Sequence, residues 1–237
     1  MQGRLVSYYF PAPADTIDQR EAKEFEEIFA SALSRGTNSL IHYNNAYPKH
    51  AFLRYLVTDK HCLLHGSRES EIDILEPWSP ASCPDSGQNA VFAASDGILP
   101  IFFALADRGE HNTVQNMRCL MVSTDGGTAR KFYHLLLSAH VPETRPWESG
   151  TVYILPRDCF MPYVGVGAPS SEEWISQQPV RPLARLPVNP RDFPFLDDLV
   201  GPARPPAQRP STHPSLFTPR EDRGTVAGTV NVIPSPG

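Results

Sequence analysis

The stretch that decides the fold is CLLHGSR, at positions 62–68. An apolar run ends abruptly there in a histidine, a glycine and a hydroxyl residue, which is typical of a strand that ends at a polar site. The glycine lets a ligand approach the backbone closely, and the imidazole and hydroxyl supply directional hydrogen bonds. Because a single His-Gly-Ser is common by chance, its meaning depends on the segments that follow it.

Two later segments give this strand end possible partners. AVFAASD, at 90–96, predicts a second buried strand and passes directly into GILPIFFAL, at 97–105. Apolar residues recur there at spacings of three and four, which predicts a short helix over 98–107. EWIS, at 173–176, predicts a late strand that begins with a carboxylate.

The rest of the chain predicts helices first and mostly strands afterwards. We expect an extended segment at 1–13, a helix at 15–34 capped by Asp15 or Thr16, and a second helix at 48–59. Further strands are predicted at 61–66, 89–95, 117–123, 151–155 and 183–188, whereas 132–138 fits either a helix or a strand. This order favours an α+β fold over a regular βαβ alternation.

Length and composition predict one domain followed by a tail. The chain has 237 residues, of which 41% are hydrophobic, and this suits a single domain over 1–200. Residues 201–237 contain eight prolines and few large apolar side chains. Such a segment buries too little surface to offset its ordering entropy, so we expect a flexible tail.

Several classes of protein fit the sequence poorly. A net charge of −5 gives no basic footprint for nucleic acid. No apolar run approaches the roughly 20 residues of a membrane span, and no signal-peptide core precedes the domain. The four cysteines form no Cys-x-x-Cys pair, and His61 and His65 are spaced badly for a shared metal. We therefore expect a soluble cytoplasmic protein with reduced thiols and no metal site.

Taken together, the His-Gly-Ser strand end, the aromatic strand at 90–96 and the Glu-Trp strand at 173–176 resemble ADP-ribosyltransferases of the His-Tyr-Glu class. That class includes the poly-ADP-ribose polymerases and the diphtheria-type toxins. The resemblance covers about 62–176. It implies a split β-sandwich with N-terminal helices and an NAD cleft between two small sheets. The implied activity is transfer of ADP-ribose from NAD, a glycosyl transfer, to a protein or nucleic-acid acceptor.

The resemblance also implies roles for individual residues in NAD binding. His65 would hydrogen-bond the adenine-side ribose, the Gly66 backbone would hold the nicotinamide amide, and Ser67 would assist. Phe92 stands where the family has its second-motif tyrosine. Phe103, or its neighbour Phe102, would supply the ring that stacks on nicotinamide.

The carboxylate follows from the same resemblance, with one alternative, and the phosphate anchors follow from the chemistry of arginine. Glu173 would bond the 2′-hydroxyl of the nicotinamide ribose and stabilise the positive charge that develops as nicotinamide leaves. Glu172, directly before it, is the alternative carboxylate. Arg68 and Arg54 are candidate diphosphate anchors, because a guanidinium binds phosphate through two hydrogen bonds.

The chain departs from the family pattern at two points, and these leave other functions open. Phe92 keeps an aromatic face but lacks the phenolic hydroxyl of tyrosine, and Ala90-Val91 replaces the usual Gly-Ile. The fold would then suit a binding module without catalysis. A tRNA 2′-phosphotransferase is a further alternative, although it relies on basic residues for RNA and the acidic balance of this chain argues against it. Each predicted site residue also has a purely structural interpretation, as a core or surface side chain.

Overall fold

Two β-sheets and four α-helices form the described part of the computed structural model, which covers residues 5–14, 16–78, 89–106, 114–123, 129–138, 147–163 and 172–200. The helices are α1 (Gln19–Leu33), α2 (Lys49–Thr58), α3 (Leu99–Leu105) and α4 (Leu196–Val200). The strands are β1 (Leu5–Pro11), β2 (Ser39–Leu40), β3 (Leu63–Ser67), β4 (Val91–Ala94), β5 (Val114–Ser123), β6 (Ala129–Ser138), β7 (Gly150–Leu155), β8 (Met161–Pro162), β9 (Glu173–Ser176) and β10 (Ala184–Val188). This is a mixed architecture of the predicted α+β class.

The strands divide into a smaller and a larger sheet. The smaller sheet has the order β1-β6-β5 and is antiparallel. The larger sheet has the order β2-β10-β7-β3-β4-β9-β8, in which only the β2–β10 pair is parallel among the described strands. Strand β7 lies near its centre, and all six of its residues are buried, as expected for a strand covered on both faces.

Helix α1 begins later than the sequence predicts. The Asp18 carboxylate accepts hydrogen bonds from the backbone N–H groups of Arg20 and Glu21, and the Glu21 carboxylate accepts one from the N–H of Asp18. This reciprocal cap satisfies N–H groups that the first turn leaves unpaired. The helix therefore begins at Gln19; Thr16 precedes it without capping it, and the other proposed cap, Asp15, lies outside the described residues.

Helix α3 packs directly on strand β3 because two glycines leave room for its backbone. A Cβ atom on Gly66 would lie 1.9 Å from the carbonyl oxygen of Pro100 and 2.8 Å from the nitrogen of Ala104. A Cβ atom on Gly150, in the neighbouring strand β7, would lie 2.1 Å from the oxygen of Ala104. Gly66 is therefore required first of all by this close packing.

The core fills both faces of the larger sheet. On the face that α3 covers, Leu64 and Ile154 join the main apolar cluster, in which Phe102 contacts Trp147 and Phe193. On the opposite face, a second and smaller cluster surrounds the fully buried Tyr153 and includes Leu63, Val91, Ala93 and Leu155. Strand alternation explains this division, since successive residues of β3 and β7 point to opposite faces.

Most predicted elements are confirmed, with some differences. The extended segment at 1–13 contains strand β1, and the ambiguous 132–138 belongs to strand β6, where pairing with β1 and β5 fixes it as a strand. The two-residue strands β2 and β8 were not predicted. The tail at 201–237 lies outside the described residues. None of the described helices combines the length and apolarity needed to cross a bilayer.

Candidate functional site

The three strands that carry the predicted site residues are neighbours in the larger sheet. His65 lies in β3, Phe92 in β4 and Glu173 at the start of β9, and β4 pairs with both of the others. Ala94 pairs with Leu64 on one side and with Glu173 on the other. Because neighbouring strands lie about 4.8 Å apart, the backbones that carry these residues lie within two strand spacings of one another, although the residues are far apart in sequence.

Strands β3 and β4 separate beyond Leu64, and His65 bridges the opening. Strand β3 pairs with β7 over all its residues but with β4 only at Leu64 and Ala94. The His65 Nδ1 atom lies 2.7 Å from the Phe92 carbonyl oxygen. Because a carbonyl can only accept, Nδ1 donates this hydrogen bond and carries a proton. The Phe92 carbonyl thus orients the His65 ring.

An aromatic pair lies beside the strand that carries Glu173. The half-buried Phe92 ring meets the Tyr163 ring edge-on, with centroids 6.0 Å apart. The backbone N–H of Tyr163 donates to the Glu173 carbonyl oxygen at 2.9 Å. Tyr163 was not predicted as a site residue, because it follows the two-residue strand β8, which is too short to show a periodicity.

The two phenylalanines of α3 differ in their surroundings. Phe102 is fully buried among core aromatics, so its ring serves packing. Phe103 is half-buried and meets Phe102 at a centroid distance of 5.3 Å. Of the two, Phe103 is the ring that remains partly accessible.

Glu173 is a half-buried carboxylate without a compensating charge among the described residues. No described side chain or backbone group forms a hydrogen bond or ion pair with its carboxylate. Burial raises the pKa of Glu173 above its usual range. A carboxylate that bears this desolvation cost unrelieved is characteristic of functional sites.

Glu172, the alternative carboxylate, is committed to a buried ion pair. Its Oε1 atom lies 2.7 Å from Lys131 Nζ, and its Oε2 atom is buried without a hydrogen-bond partner among the described residues. The neighbouring glutamates therefore have different surroundings: Glu172 faces Lys131, whereas Glu173 faces no cation of the described chain.

Ser95, at the end of β4, holds the residues on both sides of Glu173. Its N–H donates to the Glu172 carbonyl oxygen at 2.8 Å, and its hydroxyl accepts from Trp174 Nε1 at 3.1 Å. The Arg157 guanidinium lies 4.0 Å above the centroid of the Trp174 ring, a cation–π contact that covers the indole. These contacts fix the backbone from which the Glu173 carboxylate projects.

A buried ionic network joins this region to the smaller sheet. Asp96 accepts hydrogen bonds from the N–H groups of Ile98 and Leu99, from Lys131 Nζ at 2.7 Å and from the Tyr133 hydroxyl at 2.7 Å. Burial by itself raises the pKa of Asp96, but the Lys131 charge and these donors outweigh it and leave the pKa lowered. Burial lowers the pKa of Lys131, yet its carboxylate partners raise it overall, so the pair stays charged.

The same network brings together the one set of potential metal ligands found in the described residues. Ligand atoms of Asp96, Cys119 and Glu172 lie within 4.8 Å of one another. Lys131 Nζ lies 2.7 Å from both carboxylates and supplies the positive charge at that position. Burial also raises the pKa of the Cys119 thiol, which disfavours the thiolate that binds metals. The cluster therefore acts as an ion-pair network.

Two open cavities lie outside the His65–Glu173 region. The first has a volume of about 560 Å³ and lies where β3 and β10 end and β7 begins. Arg68 is among its lining residues and forms an ion pair with Glu148. The other, of about 460 Å³, lies beside α1 and is lined in part by His42 and Asn44.

The predicted site residue Ser67 has a local structural role. The Ser67 hydroxyl accepts a hydrogen bond from the N–H of Glu69 at 3.1 Å and shapes the turn after β3.

Comparisons with protein-family models, with curated proteins and with solved structures find no significant match to this chain.

Proposed function

We propose that this chain is an NAD-dependent ADP-ribosyltransferase that modifies a macromolecular acceptor, with a split β-sandwich over about 1–200. The observation that carries the proposal is the Glu173 carboxylate. It is half-buried, has a raised pKa, has no partner among the described residues and lies two strands from the His65-Gly66-Ser67 strand end. A pre-placed anion of this kind suits a reaction in which positive charge develops on a sugar.

The residues around the opening between β3 and β4 fit parts of NAD. The His65 imidazole is of the kind that hydrogen-bonds a ribose hydroxyl, and the Gly66 backbone lies at the strand edge beyond the last residue pair of β3 and β4. The Phe92 and Tyr163 rings offer an apolar surface for nicotinamide. When bound, NAD supplies the ADP-ribosyl group and the nicotinamide leaving group. Glu173 would accept the 2′-hydroxyl hydrogen bond and stabilise the charge that develops on the ribose.

The setting proposed for this reaction is the cytoplasm. The described cysteines Cys62, Cys119 and Cys159 are free thiols, and such thiols are typical of a reducing compartment.

The proposal is tested by measuring NAD binding and nicotinamide release by the full chain, its Glu173→Gln and His65→Ala variants, and Glu27→Gln as a control on the exposed face of α1. We expect Glu173→Gln to lower kcat at least about 100-fold with little change in KM, as found when an electrostatic group at a reacting centre is removed. His65→Ala should mainly raise KM, and Glu27→Gln should behave as wild type.

Two results would overturn the proposal. NAD binding without any nicotinamide release, with every acceptor tried, would exclude the transferase and leave the binding module. Release that is unchanged in Glu173→Gln would remove this carboxylate from the reaction.

A further inference from the structure

The cavity of about 560 Å³ is lined by side chains of the kind that bind phosphate esters. It lies at the C-terminal ends of β3 and β10 and at the start of β7. Two arginines, Arg68 and Arg185, line it, together with four residues that have hydroxyl or amide side chains: Ser70, Ser149, Thr151 and Asn189. Guanidinium groups with nearby hydroxyls form the donor set that phosphate oxygens require.

The acidic residues that pair with these arginines are exposed, and one of them, Glu71, also lines the cavity. The Arg185 side chain is 19% exposed, whereas Glu71, its partner at 3.0 Å, is 77% exposed. The Arg68 side chain is 36% exposed, and Glu148, one of its contacts, is 66% exposed. Ion pairs with such exposed carboxylates contribute little to stability, because water screens them. An anionic ligand therefore displaces Glu71 at little cost, while the Arg185 guanidinium stays in the cavity wall.

Lys49 plays a different part in the same wall. Its Nζ atom lies 3.0 Å from Asp192 and 2.9 Å from the Pro187 carbonyl oxygen, and both charged side chains are less than one-fifth exposed. This shielded pair fixes the end of β10 against α2. The positive charge that a ligand can reach by displacing an exposed carboxylate is thus that of Arg185, and Arg68 lines the same cavity.

The size and the apolar lining of the cavity suit more than a phosphate ion. Leu40, Pro187 and Val188 line one part of it, and its volume falls within the range of about 300–1,000 Å³ of small-molecule sites. A planar ring against these side chains, with its phosphate toward the arginines, matches the distribution of polar and apolar groups.

The cavity and the proposed NAD site lie on opposite sides of strand β3. The cavity extends over β7 and β10, where Ser67 pairs with Thr151 and Thr151 with Pro187. Phe92 and Glu173 lie on the other side, in β4 and β9. A ligand in the cavity therefore approaches the His-Gly-Ser strand end from the side away from Glu173.

We infer that this cavity binds a nucleoside phosphate carried by the second substrate, with Arg68 and Arg185 holding the phosphate. The role as an acceptor site rests on the proposed transferase function, whereas phosphate binding itself does not.

The test is calorimetric titration of the full chain with AMP, adenosine, inorganic phosphate and NAD at low salt. The variants are Arg185→Gln, Arg68→Gln and Glu71→Gln, with Arg20→Gln as a control because that arginine is 81% exposed on α1. We expect AMP to bind at least tenfold more tightly than adenosine, and Arg185→Gln and Arg68→Gln each to weaken AMP at least tenfold. Glu71→Gln should strengthen AMP binding, since it removes the competing carboxylate, and no folding defect mimics that gain.

Different results would contradict the phosphate site, its assignment to a second substrate, and the transferase function. Equal affinity for AMP and adenosine, or an unchanged affinity in Glu71→Gln and Arg185→Gln, would overturn the phosphate site. If Arg185→Gln weakened NAD as much as AMP, the cavity would hold the NAD diphosphate and the assignment to a second substrate would fail. A wild type that binds AMP but releases no nicotinamide would contradict the transferase and leave the phosphate site standing.

Discussion

Lys131 Nζ lies 2.7 Å from the Asp96 carboxylate, and this ion pair ties the smaller sheet to the turn between β4 and α3. The Asp96 side chain is only 2% exposed. A buried carboxylate depends on its partner, because removing one member of such a pair leaves an uncompensated charge away from water. The pair also reaches the proposed site, since the same Nζ atom contacts Glu172 next to Glu173.

The first prediction is that Lys131→Met destabilises the protein by about 3–5 kcal/mol, because the buried charge of Asp96 then has no counter-charge. The measurement is the free energy of unfolding in denaturant. Lys23→Met, on the exposed face of α1, should change it by less than about 0.5 kcal/mol. A loss below about 1 kcal/mol for Lys131→Met would contradict the prediction. Combining Lys131→Met with Asp96→Asn should recover part of the loss, since the two sites are in contact.

The second prediction concerns acid stability. The pKa of Asp96 is lowered in the folded state, so the ionised carboxylate adds to the free energy of unfolding. This contribution is fully present above the carboxyl pKa of the unfolded chain, about 3.9. That contribution is lost as the pH falls through the lower, folded-state pKa. The stability of Asp96→Asn should therefore fall less steeply below about pH 4 than that of wild type. If the free energy of unfolding fell with pH at the same slope in Asp96→Asn and wild type, the prediction would be wrong. Asp197→Asn, at an exposed position in α4, is the control and should keep the wild-type slope.

The third prediction is that Gly66→Ala destabilises the fold by about 3 kcal/mol, at the upper end of overpacking costs. The new Cβ atom would meet the backbone of α3 at Pro100 and Ala104, and backbone cannot rotate away as a side chain can. Ser67→Ala, the next residue, should cost less than about 1 kcal/mol. Thermal unfolding of both variants provides the comparison, and equal midpoints would be inconsistent with the close packing of α3 on β3.

The fourth prediction concerns Glu173, whose pKa is raised by burial. When the pKa of a carboxyl group is higher in the folded than in the unfolded protein, burial of its charge lowers the free energy of unfolding. This loss is complete at pH values above the folded-state pKa and disappears at pH values below the unfolded-state pKa. Glu173→Gln should therefore melt at a higher temperature than wild type at pH 7, and the difference should disappear below about pH 4. If the carboxylate acts in its ionised form, nicotinamide release should fall at a higher pH than for an exposed glutamate. A lower melting temperature for Glu173→Gln at pH 7 would contradict this account.

Local signals in the sequence predicted much of the fold. The apolar spacing at 98–107 identified α3, the proline-bounded run at 48–59 identified α2, and the apolar runs at 151–155 and 173–176 identified β7 and β9. These elements were predictable because the periodicity of apolar residues that distinguishes a helix from a strand is visible within a few consecutive residues. The segment at 132–138 lacked a clear period, and only pairing with β1 and β5 made it a strand.

The candidate site was predictable only in its parts. His65, Phe92 and Glu173 were named from the sequence, but whether their strands are neighbours is a matter of sheet order. The contacts of Lys131 with Asp96 and Glu172 span 35 and 41 residues, and no local pattern encodes them. Those contacts distinguish Glu172 from Glu173, whereas the sequence alone favoured Glu173 and left Glu172 as the alternative.

The sequence by itself thus determined a strand that ends in His65-Gly66-Ser67, the mixed α and β character and the separate elements around them. Only the tertiary structure decided that β3 and β4 diverge beyond Leu64, that α3 occupies the space above Gly66, and that Glu173 lacks a cation among the described residues. The reason is physical: secondary structure follows from the covalent neighbours of a residue, whereas burial and charge pairing follow from residues that meet only when the chain is folded.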